Sequence, residues 1–216
     1  MAELILVRHG QANSHATDEA SYDKLSELGH EQARWLGEHM RATNPHYDRV
    51  ITGTLLRQKE TAASMGYADT QVDARLDELQ YWAMAEALEA EHGIERPQDP
   101  TEFAAHLPTM IGHWAADRVK GVPERYSEFY SRTTSLIQEV SEGHGRVLLV
   151  TSGGVIGTIM RHVLHLGDEG MAKVMLQVMN SSVHRLEYVH DTLMLGSFNA
   201  TPHLDIPGRE HARTFI

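Results

Sequence analysis

The sequence predicts an α/β fold: a three-layer sandwich with a mixed, mostly parallel sheet, helices on both faces and a helical cap insertion. Three observations carry that expectation. Leu4–Val7 and Val147–Val150 are unbroken apolar runs, the pattern of strands buried on both faces. Strand-like and helix-like segments alternate along the chain, which favours parallel strands joined by crossover helices. Ser182–Val189 and Thr192–Phe198 alternate about His190-Asp191, as in a hairpin.

The elements follow in order. Leu4–Val7 ends in Arg8-His9-Gly10, and a polar loop continues through Tyr22. A helix is expected over Leu28–Met40, with Leu28, Trp35, Leu36 and Met40 as its buried stripe and Asn44-Pro45 as its stop. Asp48–Thr52 reads as a short strand, Thr54–Met65 as a helix and Gln71–Asp73 as a weak strand. The block at about 80–142 is helical and forms the predicted cap insertion. Within it, residues 82–93 have strong helix propensity. Asp99-Pro100-Thr101-Glu102 places an acid at the N-cap and proline at the first helical position, a strong start for a helix expected to reach Lys120. A third helix spans Glu124–Val140. Arg146–Thr151 is the clearest strand, and Ser152-Gly153-Gly154 leads into a helix over Val155–His165. Residues 199–216 read as a polar surface tail, so the whole chain, 1–216, is expected to be one domain.

Composition narrows the function. The 216 residues carry a net charge of −11 and no cysteine. Thiol nucleophiles, disulfides and cysteine–metal sites are thereby excluded. The acidic balance opposes broad nucleic-acid binding and anionic membrane surfaces. No leader or membrane span is read from the N-terminal run, and the expected setting is cytoplasmic. A basic pocket on an acidic protein is still compatible with an anionic ligand.

Three polar groups fall where apolar strands end, at Arg8-His9-Gly10, Arg57 and Ser152-Gly153-Gly154. Ligands of open α/β sheets bind beyond the carboxyl ends of strands. Two arginines match phosphate oxygens with forked donors. Glycine turns and helix starts add backbone N–H groups. A histidine among such donors is a candidate nucleophile toward phosphorus. His162 and His165 lie three apart on one helix, but no third ligand is evident and no metal is expected. Trp82, Trp114, Met171, Met175 and Met179 read as packing residues.

The ordered landmarks resemble the histidine phosphatase superfamily, the phosphoglycerate mutase-like group. Leu6-Val7-Arg8-His9-Gly10-Gln11 resembles its R-H-G signature, and Leu25–Ala33 its L-(S/T)-x-x-G-x-x-Q-A helix start. Thr54–Ala62 resembles S-x-L-x-R-x-x-x-T-A, and Leu76-Asp77-Glu78 the L-x-E that carries an acid. Val147–Gly154 resembles V-L-x-V-(S/T)-H-G-G, and Asn180 opens a late strand as an asparagine does in relatives. The resemblance implies a phosphatase without metal or cofactor, acting on a phosphorylated small molecule or protein. His9 would take the phosphoryl group, Arg8 and Arg57 would hold its oxygens, and Glu78 would protonate the leaving oxygen. Gly10, Gln11, Asn13, Ser152 and Gly153 would line the phosphate and substrate. No nucleic-acid or membrane partner is expected, and a homodimer is left open.

Two departures stand out. Ser152 occupies the place of the family's second pocket histidine. Loss of one charge-stabilising donor costs about 3–4 kcal/mol when nothing compensates. His15 and His184 are the candidates to compensate, and weakened turnover is the expectation. After Glu78 the chain reads Leu79-Gln80-Tyr81-Trp82 rather than the mutase L-N-E-R-x-Y-G. That disfavours a mutase. The rival from another class is a phosphate-ligand-binding or regulatory protein with weak or no turnover.

Overall fold

A computed structural model describes residues 2–13, 16 and 18–215 of the chain. Six strands form one sheet: β1 (Ala2–Arg8), β2 (Arg49–Thr52), β3 (Gln71–Val72), β4 (Gly145–Thr151), β5 (Val183–Val189) and β6 (Thr192–Ala200). Their spatial order is β3-β2-β4-β1-β5-β6. The first four are parallel, and β5 and β6 are antiparallel additions at one edge. The sheet is thus mixed and mostly parallel, as the sequence predicts.

The unbroken apolar runs arise because both faces are covered. Leu4, Leu6, Val147 and Leu149 enter one core cluster. Ile5, Val7, Leu148 and Val150 enter the other. Helices α2 (Glu27–Thr43) and α3 (Leu56–Ser64) close the second face through Ala33, Leu36, Met40, Ala62 and Met65. The first face is covered by α4 (Tyr81–His92), α5 (Pro100–Ala115), α6 (Tyr126–Ser141), α7 (Gly153–Leu164) and α8 (Asp168–Gln177). Burying each Leu, Ile or Val side chain contributes roughly 1.5–3 kcal/mol, so the two clusters pin the strand faces. A one-residue register slip would exchange them.

Several boundaries differ from expectation for identifiable reasons. α5 starts as predicted, with Asp99 Oδ1 accepting from Glu102 N at 2.8 Å. It stops at Ala115 rather than Lys120 because Asp117 turns left-handed, with φ 54°. α7 begins at Gly153, earlier than Val155. α8 was not anticipated; Gly157 on α7 lets Met175 pack where a Cβ would overlap it. The hairpin turn is as expected, with positive φ at both His190 and Asp191, the turn that follows strand twist.

The segment expected to be a surface tail is instead docked. Residues 199 and 200 belong to β6. His203, Leu204 and Ala212 are buried. Gln32 Nε2 donates to the Ala212 carbonyl at 2.7 Å, and Asn180 N to the Thr214 carbonyl at 2.8 Å. Its polar composition hid a few anchoring residues.

Burial holds His184 and His203 far below the ordinary imidazole range, to about 3. Both are completely buried. The unfolded chain therefore takes up protons first, near pH 6.5, and stability is lost as pH falls from there toward about 3. Between pH 7.5 and 5.5 each histidine should remove about 1.4 kcal/mol of unfolding free energy. Urea unfolding at the two pH values should show a loss of at least about 3 kcal/mol from these two rings, and equal stability would contradict their burial.

Candidate active site

The parallel register of β1 and β4 sets Arg8 opposite Thr151. Both strands therefore deliver their terminal residues to the same edge of the sheet. His9 N donates to the Thr151 carbonyl at 2.9 Å, and Arg8 N to the Ser182 carbonyl at 3.1 Å, so the strand end is fixed from both sides. Gly10 continues into a turn packed directly on Gly29 of α2, where a Cβ would overlap the Gly29 carbonyl oxygen. Its N–H is spent on Thr61 Oγ1 at 3.0 Å.

His9 is 2% exposed. Its Nδ1 lies 2.7 Å from the Gly10 carbonyl oxygen. A carbonyl only accepts, so Nδ1 carries the proton and Nε2 keeps the lone pair. Burial, with the charges of Arg57 and Arg8, pushes the imidazole well below its ordinary range. The ring is neutral at neutral pH.

Arg8 donates through Nη1 to the Val178 carbonyl, while its buried Nε has no partner among the described residues. No carboxylate lies within ion-pair distance of it among the described residues. Burial lowers its basicity, and Tyr22 and Glu78 act in the opposite sense. Arg57 sits in the first turn of α3, buried, with its Nε also unpartnered. Asp23 holds it: Oδ1 accepts from Arg57 Nη1 at 3.1 Å and from Arg57 N at 3.2 Å, and Oδ2 accepts from Leu56 N at 2.9 Å. Leu55, at the N-cap, supplies no capping side chain, so Asp23 performs that role from a distant loop.

Glu78 follows a 3₁₀ turn at Ala74–Leu76. Gln58 Nε2 and Thr151 Oγ1 both donate to the Leu76 carbonyl, at 2.9 and 2.7 Å, clamping this segment over the end of β4. The Glu78 carboxylate accepts from Leu79 N at 2.9 Å and from Gly154 N at 2.8 Å. It therefore lies against the N-terminus of α7.

A cavity of about 440 Å³ opens beyond the sheet edge. Arg8, Asn13, Arg57, Glu78 and Gly153 all line it. Asn13 Nδ2 donates to the Ser21 carbonyl at 2.9 Å. His9 does not reach the wall; Tyr22 does, and meets the imidazole edge-on with centroids 6.5 Å apart. The Arg57 guanidinium stands over the same Tyr22 ring at 5.1 Å. Gly10 and Gln11 are turned to packing: Gln11 Oε1 accepts from Ser26 Oγ at 2.8 Å, and Gln11 N donates to Gln32 Oε1 at 2.7 Å.

Ser152 is buried at the N-cap of α7, but its hydroxyl makes no capping bond. It accepts from Gln58 Nε2 at 2.8 Å and does not line the cavity. His184 does not take its place. Its Nε2 is 3.1 Å from Ser182 Oγ, and its Nδ1 accepts from Asn199 N at 3.2 Å. His15 lies outside the described residues. No group of three metal-ligating side chains occurs among the described residues, and His162 Nδ1 instead meets Tyr130 Oη at 2.8 Å.

Sequence reading missed Glu19, Tyr22, Asp23 and Gln58. Glu19 and Tyr22 lie in what reads as a polar loop ending at Tyr22, and Asp23 follows it directly. The available signal was Asp18, whose side chain accepts from Ser21 N and starts the one-turn helix α1 (Glu19–Tyr22).

This is an α/β protein with a polar cavity at the carboxyl edge of its sheet, and the chain belongs to the histidine phosphatase superfamily (branch 1), whose family model matches residues 4–201. It is similar to the broad-specificity phosphatase YOR283W of Saccharomyces cerevisiae, 23% identical over 203 residues, covering 88% of this chain and 80% of that one. It is also 23% identical over 175 residues to the mitochondrial serine/threonine-protein phosphatase Pgam5 of Drosophila ananassae, covering 79% of this chain. The match spans 54% of that relative's length. Among solved structures, an Entamoeba histolytica phosphoserine phosphatase mutant in complex with phosphoserine superposes with a TM-score of 0.67 at 18% identity, covering 94% of this chain and all of that one. A phosphoglycerate mutase from Bacillus anthracis gives 0.65 at 21% identity, covering 94% of each chain. At these identities the structural likeness establishes the fold.

The two glycines that open α7 should respond differently to substitution. A Cβ on Gly154 would overlap Glu78 Oε1 and press Leu79 at 2.9 Å, whereas one on Gly153 meets only Arg8 at an ordinary 3.8 Å. Gly154→Ala should destabilise by about 1–3 kcal/mol. Gly153→Ala should be neutral or stabilising by up to about 1 kcal/mol, through helix propensity. Denaturant melts of both variants check this, and equal effects would refute the stated contact.

Proposed function

We propose that the protein is a phosphatase that hydrolyses a phosphomonoester through a phosphohistidine at His9. The observation that carries this reading is a buried neutral histidine beside two buried arginines with unpartnered Nε donors. Such unpartnered donors on buried guanidinium groups favour an anionic ligand. A phosphoryl dianion would take its hydrogen bonds from Arg8 and Arg57, and Tyr22 would yield its place beside His9.

In the first step His9 Nε2 attacks phosphorus in line, the P–O bond to the alcohol breaks, and Glu78 gives the leaving oxygen a proton. In the second, water attacks the phosphohistidine while Glu78 takes its proton, releasing phosphate and free His9. Arg8 and Arg57 stabilise the charge on the equatorial oxygens in both steps. Gly10, Gln11 and Ser152 act behind this layer by packing and hydrogen bonding, while Asn13 and Gly153 border the substrate. The arginines supply the positive charge, so turnover should be insensitive to EDTA.

A second reading, phosphate-ligand binding with little turnover, is favoured by one feature. Ser152 is uncharged and its hydroxyl is committed to Gln58.

Acid-quenched reactions with p-nitrophenyl phosphate should trap a phosphohistidine, and His9→Ala should lower kcat by at least about 10³-fold. Because His9 is already neutral, activity should not fall with an imidazole titration near pH 6.5. Hydrolysis that survives His9→Ala would remove His9 from the mechanism. Vanadate binding without turnover of any phosphoester would establish the second reading.

A further inference from the structure

Beyond its two arginines, the cavity changes character. The described wall holds no other arginine, no lysine and no histidine, but three carboxylates: Glu19, Glu78 and Asp99. Asp99 is engaged at the start of α5 through Glu102 N, and Glu78 by two backbone N–H groups. Glu19 is held more loosely, accepting only from Trp82 N at 3.3 Å. Burial raises its carboxyl above the ordinary range, outweighing the Trp82 N–H and the field of Arg57.

An aromatic wall surrounds it. Tyr22 and Trp82 lie 5.3 Å apart between centroids, Trp82 and Tyr81 5.9 Å, and Tyr81 and Phe103 5.2 Å. All four line the cavity. Ring faces and one carboxylate attract an organic cation, quaternary ammonium above all. A leaving group bearing a carboxylate would meet Glu19, Glu78 and Asp99, with no cation beyond Arg8 and Arg57 among the described lining residues to pair it.

Resting on the phosphatase reading, we propose that the substrate is a phosphomonoester of an ammonium-bearing alcohol, with its cation seated between Glu19 and the aromatic wall. Arg8 and Arg57 hold one end by charge, and Glu19 selects the other. Glu19 is here a specificity residue.

The test compares choline phosphate with 3,3-dimethylbutyl phosphate, its uncharged carbon isostere, on the full chain. Wild type should show kcat/KM at least about tenfold higher for choline phosphate. Glu19→Gln, whose amide oxygen can still accept from Trp82 N, should collapse that ratio toward one. Trp82→Leu should reduce it independently, which covers a poorly folded Glu19 variant. Equal rates for the two esters, or hydrolysis of p-nitrophenyl phosphate with neither ester turned over, would overturn the inference and leave the phosphatase reading standing. If no phosphoester is hydrolysed, the phosphatase reading fails and calorimetric binding decides. Tighter binding of choline phosphate than of its isostere, lost in Glu19→Gln, supports the cation seat. Equal binding or none overturns it.

Discussion

The site is organised by a buried cation, Arg8, that has no ion-pair partner among the described residues. Arg8 ends the central strand β1, which pairs with β4 on one side and β5 on the other, and its buried side chain meets solvent only at the cavity. Burying an unpaired charge costs several kcal/mol. Here the cost is offset only in part, by one backbone carbonyl, Tyr22 and the field of Glu78. Arg57 adds a second positive charge nearby. Protonating His9 would add a third, and this repulsion, on top of burial, keeps the imidazole neutral. One electrostatic constraint thus accounts for both an anion-seeking pocket and a histidine with a free lone pair. Neither arginine could be replaced by lysine without losing the forked donors that suit phosphate.

The loop carrying α1 completes this arrangement. Asp23 caps α3 and pairs with Arg57 in one set of contacts, so the position of the arginine depends on a residue 34 positions earlier. Tyr22 fills space between the two arginines and His9. A bound dianion would exchange the weak cation–π contact for charge-assisted hydrogen bonds, which are roughly twice as strong as neutral ones. The energetic direction favours displacement of the ring by phosphate. The backbone cap made by Asp23 would be retained, because it uses the amides of α3.

How far the chain could be read depended on whether a residue's partner is local. Leu4–Val7 and Val147–Val150 were legible as buried strands because alternate residues feed two cores, and Arg8 and Arg57 were legible because strand ends must converge, whereas Glu78 was legible only through the family resemblance. The landmarks resembling the family fixed their order. What was not legible depends on contacts distant in sequence. Asp23 gains its role from α3, Gln58 reaches Ser152 and Leu76, and the last residues dock through Gln32 and Asn180. α8 escaped notice because its packing depends on Gly157 yielding room to Met175. Gly10 and Gln11 were assigned to substrate on motif position alone, and hydrogen bonding turns both toward α2 and α3.

Ser152 and Gln58 bear on the balance between holding phosphate and reacting with it. Gln58 Nε2 bridges Ser152 Oγ and the Leu76 carbonyl, so the pair is a neutral brace between α3, α7 and the segment that presents Glu78. It adds rigidity to the wall without adding charge. A histidine at position 152 could carry a further proton to the transferring group, but beside Arg8, Arg57 and His9 it would meet the same repulsion that keeps His9 neutral. In the proposed reaction, transition-state charge therefore falls on the two arginines alone. Ground-state binding draws on those same arginines and loses less than the chemical step does, since only interactions that strengthen in the transition state accelerate it. In that reaction the neutral brace would favour affinity over rate.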